Sequence, residues 1–205
     1  MNYLSFKDAL QKFIVFSLTD IRKIFPAFDS RRLAEWQKKG YIKKIINRWY
    51  IFTDIEIKDH TLLWIANRIY SPSYISMEFG LSYYELIPEA VFTLTSISSR
   101  KTIIFETTLG AFSYRHLKPS LYFGYEIKEW QGFPLKIAKP EKLILDFLYL
   151  NPQMKKEKDW QGLRINSEQY QQLIDEEKLE NYLALFQSTA LEKRFSHFQK
   201  YTTAC

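Results

Sequence analysis

A single cysteine, Cys205, stands at the last position of the 205-residue chain. One thiol cannot close an intramolecular disulfide, and such scarcity fits a reducing compartment, so a cytoplasmic protein is expected, with Cys205 itself an inert thiol. Long apolar runs are also missing: no window reaches the roughly 18 consecutive apolar residues of a membrane span, and no membrane partner is expected. The opening MNYLSFKDALQKF carries charge inside its apolar pattern and no small-residue cleavage site, which argues against a signal peptide. Only 6 glycines are present, none of them in a Gly-rich phosphate loop, and there is neither an internal repeat nor a low-complexity tract. Aspartate is absent between His60 and Leu145, which thins out the carboxylates a metal-dependent nuclease would cluster around its cation. His60, His116 and His197 lack metal-ligand spacing, and no serine stands in a Gly-flanked elbow. No metal, cofactor or catalytic residue is therefore expected.

What is present is apolar and unevenly charged. An apolar fraction of 46%, with 17% aromatics, is ample for a packed core in one or two domains. Residues 1–53 hold 11 Lys+Arg against 4 Asp+Glu, a net of +7, whereas residues 54–205 hold 18 against 19, a net of −1; together they give the chain's +6. All the excess positive charge sits in the first quarter.

That quarter reads as helix, helix, turn, helix, hairpin. Tyr3 to Ile14 carries an apolar stripe of Leu4, Phe6, Leu10, Phe13 and Ile14. Ser17 with Asp20 has the spacing of a capping box, Ile21, Ile24 and Phe25 supply a buried face, and Pro26 stops that helix. Asp29 or Ser30 caps the next helix, whose apolar marks are Leu33, Ala34 and Trp36, and Gly40 stands where a left-handed cap is wanted. Tyr41 to Ile46 and Trp49 to Phe52 flank the pair Asn47-Arg48, a hairpin signal weaker than Asn-Gly because Arg48 resists positive φ. This is the order of a winged helix-turn-helix.

The expected boundary is the acidic, polar stretch from Thr53 to Asp59, giving a winged domain over 1–53 and an α+β domain over 54–205. In the latter, Lys58 to Tyr70 reads as a helix stopped by Ser71-Pro72, and Ser73 to Leu86 as another in which Gly80 signals close packing against a backbone. From Val91 the period changes to two: strands are expected over 91–97, 102–106, 111–116, 120–127 and 133–138, forming a mostly antiparallel sheet. Pro140 fits the first position of a helix with Leu143, Ile144, Phe147 and Leu148 inward. MKKEKDW over 154–160 reads as a charged link, and from about 151 onward the tail is helical.

Four blocks carry a family likeness. ISMEFGLSYYELIPE (75–89), TLTSISSRKTIIFE (93–106), GAFSYRHLKPSLYFGY (110–125) and AKPEKLILDFLYL (138–150) resemble the AbiEi-type antitoxins, the similarity spreading over about residues 5 to 150. The resemblance implies an N-terminal winged helix, a C-terminal antitoxin domain and a type IV toxin–antitoxin operon of phage defence. It further implies repression of the chain's own promoter, and opposition to a nucleotidyltransferase-like toxin without a stable complex. The tail after Asn151 is not covered by it.

The expected DNA-binding residues are Ser30, Arg31, Arg32, Gln37, Lys38 and Lys39 on the second helix of the motif, and Lys43, Lys44, Asn47 and Arg48 on the hairpin. The start of a recognition helix reaches deepest into the major groove, so Arg31 and Arg32 are the first choices for base edges, with the hairpin holding phosphates. One such unit buries little surface, so two copies on repeated half-sites are expected. Arg100, Lys101, Arg115 and Lys118 form a second basic patch if the sheet gathers them; the cluster of Tyr83, Tyr84, Tyr114, Tyr122, Phe123 and Tyr125 reads as core rather than a base-stacking platform. Two alternatives remain: a plain regulator whose second domain senses a ligand, and a nuclease built on Glu106 and Glu126.

Overall fold

The computed structural model describes residues 2–130, 132–155 and 157–204, so the expectation for Cys205 lies outside the described residues. The architecture is α+β, with ten α-helices, a three-stranded and a six-stranded sheet among those residues.

Helix α1 (Tyr3–Leu10) begins at Asn2, whose side chain accepts the Ser5 N–H. It tightens into a 3-10 turn over Gln11–Phe13 and ends before Ile14, which takes φ 59°. The stripe overstates this helix, since Leu4 is 69% exposed. Strand β1 (Val15–Ser17) follows, too short for periodicity to announce. Helix α2 (Leu18–Ile24) opens on the reciprocal Ser17–Asp20 box: Ser17 Oγ accepts the Asp20 N–H while the Asp20 carboxylate accepts the Ser17 N–H. Helix α3 (Arg31–Lys38) is capped by Asp29, which accepts the Arg31 N–H at 3.0 Å, whereas Ser30 makes no side-chain cap. At its other end Gly40 takes φ 71°, and the Tyr41 N–H reaches back to the Trp36 carbonyl, 2.9 Å, closing the last turn. Strands β2 (Ile42–Ile46) and β3 (Trp49–Phe52) pair antiparallel with Arg48 at φ 69°, so the turn imposes on Arg48 the backbone it resists. The sheet order is β1-β3-β2.

Phe6, Leu10, Phe16, Ile21, Leu33, Trp36, Ile42 and Phe52 form the core of this unit. Its other face is not free. Val15, Ile45 and Ile51 pack into a second core with Leu63, Ile65 and Ile69 of α4 (Asp59–Ile69). Arg68 of α4 reinforces the junction: it pairs with Asp20 at 3.3 Å and lies over the rings of Trp49 and Trp64 at 5.5 and 5.7 Å.

Residues 73–86 depart from the expected single helix. Ser73–Ile75 is β4, and only Met77–Tyr83 is helical (α5). Tyr74 and Ile75, an aromatic and a β-branched residue, favour extended chain, and β4 becomes an inner strand. The remaining strands are β5 (Leu94–Ser98), β6 (Ile103–Thr107), β7 (Gly110–His116), β8 (Tyr125–Trp130) and β9 (Phe133–Ala138). Their order, β6-β7-β5-β4-β9-β8, contains three antiparallel pairings, but β5–β7 and β4–β9 are parallel. The stretch from Ser120 is a strand only from Tyr125, after a 3-10 turn over Pro119–Leu121.

One face of this sheet meets α4 and the N-terminal unit; the other is covered by α5 and α6 (Pro140–Leu150). Helix α6 is buried nearly all round. Gly80 of α5 is indeed closely packed, but against a side chain: a Cβ there would meet Leu143 Cδ1 at 2.6 Å. The charged link is no link, because Trp160, on α7 (Glu157–Gln161), is 1% exposed in the same core. Helices α8 (Ser167–Leu173), α9 (Glu176–Phe186) and α10 (Thr189–Ala204) complete the layer.

Candidate nucleic-acid interface

Leu33 and Trp36 fix which way α3 faces, since both are buried against α1 and the hairpin. At 100° per residue the opposite stripe is Arg31, Ala34, Glu35 and Lys38, with Arg32 and Gln37 on its flanks. Exposure follows that geometry: Arg31, Ala34, Glu35, Lys38 and Lys39 are exposed, Arg32 and Gln37 half-buried. Ala34, an apolar mark in the sequence, therefore points outward, and Glu35 joins the same stripe. Neither stands out in the sequence as a contact: Ala34 lacks charge and bulk, and Glu35 has the wrong sign for a phosphate.

Two ion pairs bracket the stripe. Arg31 folds back on Asp29 through Nε bonds of 3.0 Å to both carboxylate oxygens, and its side chain remains 91% exposed. Hydrogen bonding from Arg31 keeps the Asp29 carboxyl below the usual range. Lys39 pairs with Glu35 at 2.7 Å, lowering the Glu35 pKa and raising its own. Gln37 donates to the Leu33 carbonyl at 3.1 Å. Lys38 makes no ion pair among the described residues, nor do Lys43, Lys44 and Arg48 on the hairpin.

On the hairpin the two lysines separate. Lys44 pairs with Tyr50, which packs on the core beneath α3, whereas Lys43 pairs with Ile51, which faces the six-stranded sheet. Consecutive strand residues point to opposite faces, so Lys44 lies on the α3 side and Lys43 on the other, both exposed. Ile45, on the Lys43 face by the same alternation, is buried in the second core, and the register shifts between Lys44 and Ile46. Ser30, Asn47 and Arg48 are exposed as well. None of the ten expected DNA-binding residues is buried against the larger unit.

The four cations of the second patch are not gathered on one surface. Arg115 bonds the Leu150 carbonyl at the end of α6, 3.0 Å, on one face of the sheet. Arg100 stacks 4.1 Å from the centroid of Tyr70, on the α4 face. Lys101 uses its carbonyl to accept Tyr70 Oη, and Lys118 is exposed beyond β7. Of the aromatic cluster, Tyr114 is buried; Tyr84, Tyr122, Phe123 and Tyr125 pack at the core's rim, and Tyr83 is exposed.

Glu106 and Glu126 stand on the two edge strands, β6 and β8. Five strand spacings separate them, roughly 24 Å, so they share no cation. His60 stacks on Trp130, and His116 Nδ1 lies 2.9 Å from the Arg100 carbonyl. No grouping of three or more metal-ligating side chains occurs among the described residues. No helix is long and apolar enough to cross a membrane, among the residues described. Compared with known proteins, the chain matches no family model, and no curated protein matches it.

Proposed function

We propose that residues 1–53 form a winged helix-turn-helix that binds double-stranded DNA, and that the chain represses its own promoter. The observation that carries this reading is the outward stripe of α3, Arg31, Ala34, Glu35 and Lys38, with Lys44 exposed on the same side of the hairpin and Arg48 exposed at its turn. In a major groove Arg31 would reach guanine O6 and N7, Glu35 would accept from cytosine N4, and Ala34 would touch a thymine methyl. Lys38, Lys39, Lys44 and Arg48 would neutralise phosphates, releasing counterions. Two copies on repeated half-sites would supply the buried area one unit lacks.

The larger unit, on the strength of the four blocks that resemble AbiEi-type antitoxins, acts in this proposal as the antitoxin of a type IV system. It opposes a nucleotidyltransferase-like toxin without forming a lasting complex. The deciding experiment is a salt series on the DNA upstream of the chain's own gene. A log–log slope of about −0.9 per neutralised phosphate is expected, and a flat profile rejects phosphate tracking. For the antitoxin assignment, co-expression should rescue growth from a nucleotidyltransferase-like reading frame beside the gene; no such frame, or no rescue, leaves only the regulator.

A further inference from the structure

Where α10 crosses the end of α6, a half-open cleft of about 460 Å³ is lined by Pro152, Lys155, Ala190, Lys193, Arg194 and His197. Ala190, Lys193, Arg194 and His197 recur at helical spacing and so form one face of α10. Its size lies within the range of small-molecule pockets. Four of the six lining side chains are basic or imidazole, and no carboxylate is among them. Asp159 accepts the Lys155 backbone N–H at 2.9 Å but does not line the cleft.

Arg194 is the unusual member. It is 8% exposed, and one guanidinium nitrogen donates to the Leu148 carbonyl at 2.6 Å. Its Nε is buried with no hydrogen-bond partner, and no carboxylate pairs with it among the described residues. A buried guanidinium that lacks a counter-ion is costly unless something anionic completes it, and burial accordingly pushes its pKa down. The partial negative charge at the C-terminal end of α6 offsets part of this cost but leaves Nε unsatisfied. An oxyanion in the cleft would supply the counter-charge that the buried guanidinium lacks, flanked by Lys155, Lys193 and His197. The first turn of α10, at Ala190, adds the positive end of a 16-residue helix. One guanidinium with two lysines and an imidazole along the same cleft suits a multiply charged oxyanion better than a single carboxylate. The walls contributed by Pro152, Ala190 and the lysine stems suit a compact apolar body attached to it.

We propose that this cleft binds a small phosphomonoester, with Arg194, Lys193, Lys155 and His197 around the phosphate and the apolar walls around its organic part. The site lies on the larger unit and does not depend on the DNA-binding reading. The test titrates the full chain with phenyl phosphate, inorganic phosphate and phenol by calorimetry, alongside a Lys193→Gln/His197→Gln variant that spares the Arg194–Leu148 bond. Saturable binding of both phosphates, none of phenol, and a loss of at least about tenfold in the variant, the size of one charge-assisted hydrogen bond, are expected. The variant's melting temperature without ligand should match the parent, and the same phosphate concentration should raise the parent's by more. The same variant should bind DNA as the parent does. Absence of saturation by about 10 mM, binding that the double substitution leaves intact, or a uniform loss of DNA affinity without phosphate binding would each overturn the proposal, the last by assigning the cleft to a nucleic-acid backbone.

Discussion

The first fifty residues and the rest of the chain use charged side chains in opposite ways. In the N-terminal unit they point outward: Arg31, Lys38, Lys43, Lys44 and Arg48 are all exposed over a small aromatic core. In the larger unit several are swallowed. Lys142 and Asp146 are each 0% exposed and bond to one another one turn apart on α6, with Tyr74 and Ser76 donating to the Asp146 carboxylate. Glu141, on the same helix, is 2% exposed at its side chain and pairs with Lys178 at 2.7 Å. Desolvation pushes the Lys142 pKa down and the Asp146 pKa up, each opposed by the partner. Buried, hydrogen-bonded ions hold elements in one arrangement and have nothing left to offer a ligand. Exposed cations without partners do little for stability and remain available to an anionic one.

The sharpest way to break this contrast is to remove one buried ion. Asp146→Ala leaves Lys142 charged and alone and should cost about 3–5 kcal/mol of unfolding free energy in urea. The pair Lys142→Met/Asp146→Leu should recover most of it; a loss under about 1 kcal/mol for the single change would show that the cluster holds nothing. Next in size, Lys44→Ala/Arg48→Ala should leave the urea midpoint unchanged while weakening binding to every DNA sequence alike. Its salt slope should flatten by about one unit for each phosphate no longer neutralised, and Lys43→Ala should do less because it lies on the far face of the hairpin. Arg31→Ala should lose roughly 5- to 100-fold at particular base pairs in a binding-site selection; an equal loss on all sequences would reduce it to a phosphate ligand. Smallest is Asp29→Asn. It should release Arg31 and remove a negative charge from the DNA side, tightening binding to all sequences by a few-fold. Because the Asp29 carboxyl is held below its ordinary value, its capping contribution is complete above pH about 4 and fades as pH falls through the lowered value. The parent's melting temperature should therefore drop more steeply in that acid limb than the variant's, which keeps the contributions of Glu35, Asp54 and Glu89 alone.

What the sequence made legible was local. The Ser17–Asp20 box, Pro26 and Gly40 each act within one turn of a helix, and each does in the fold what its residue type and spacing imply. The missed pieces depend on distant partners. Three-residue strands such as β1 and β4 show no period, and the parallel pairings β5–β7 and β4–β9 join segments that nothing in their composition links. Trp160 was hidden in a run of lysines and acids, and its burial follows from the C-terminal helices closing over α6. The hairpin cations were legible as residues but not as faces, since the register of β2 on β3 decides which lysine sits beside α3. The cleft at Arg194 had no local signal, because Lys155 and α10 meet only in the fold.

Asp20 caps α2 and also receives Arg68, so a single carboxylate fastens the helix ahead of α3 to the body of the molecule. An N-terminal unit packed on the second core and fastened in this way does not swivel on a tether. In the proposed complex, with two copies side by side on DNA, the distance between their α3 helices is dictated by the girth of the larger unit, and the spacing of the operator repeats becomes a ruler of that girth.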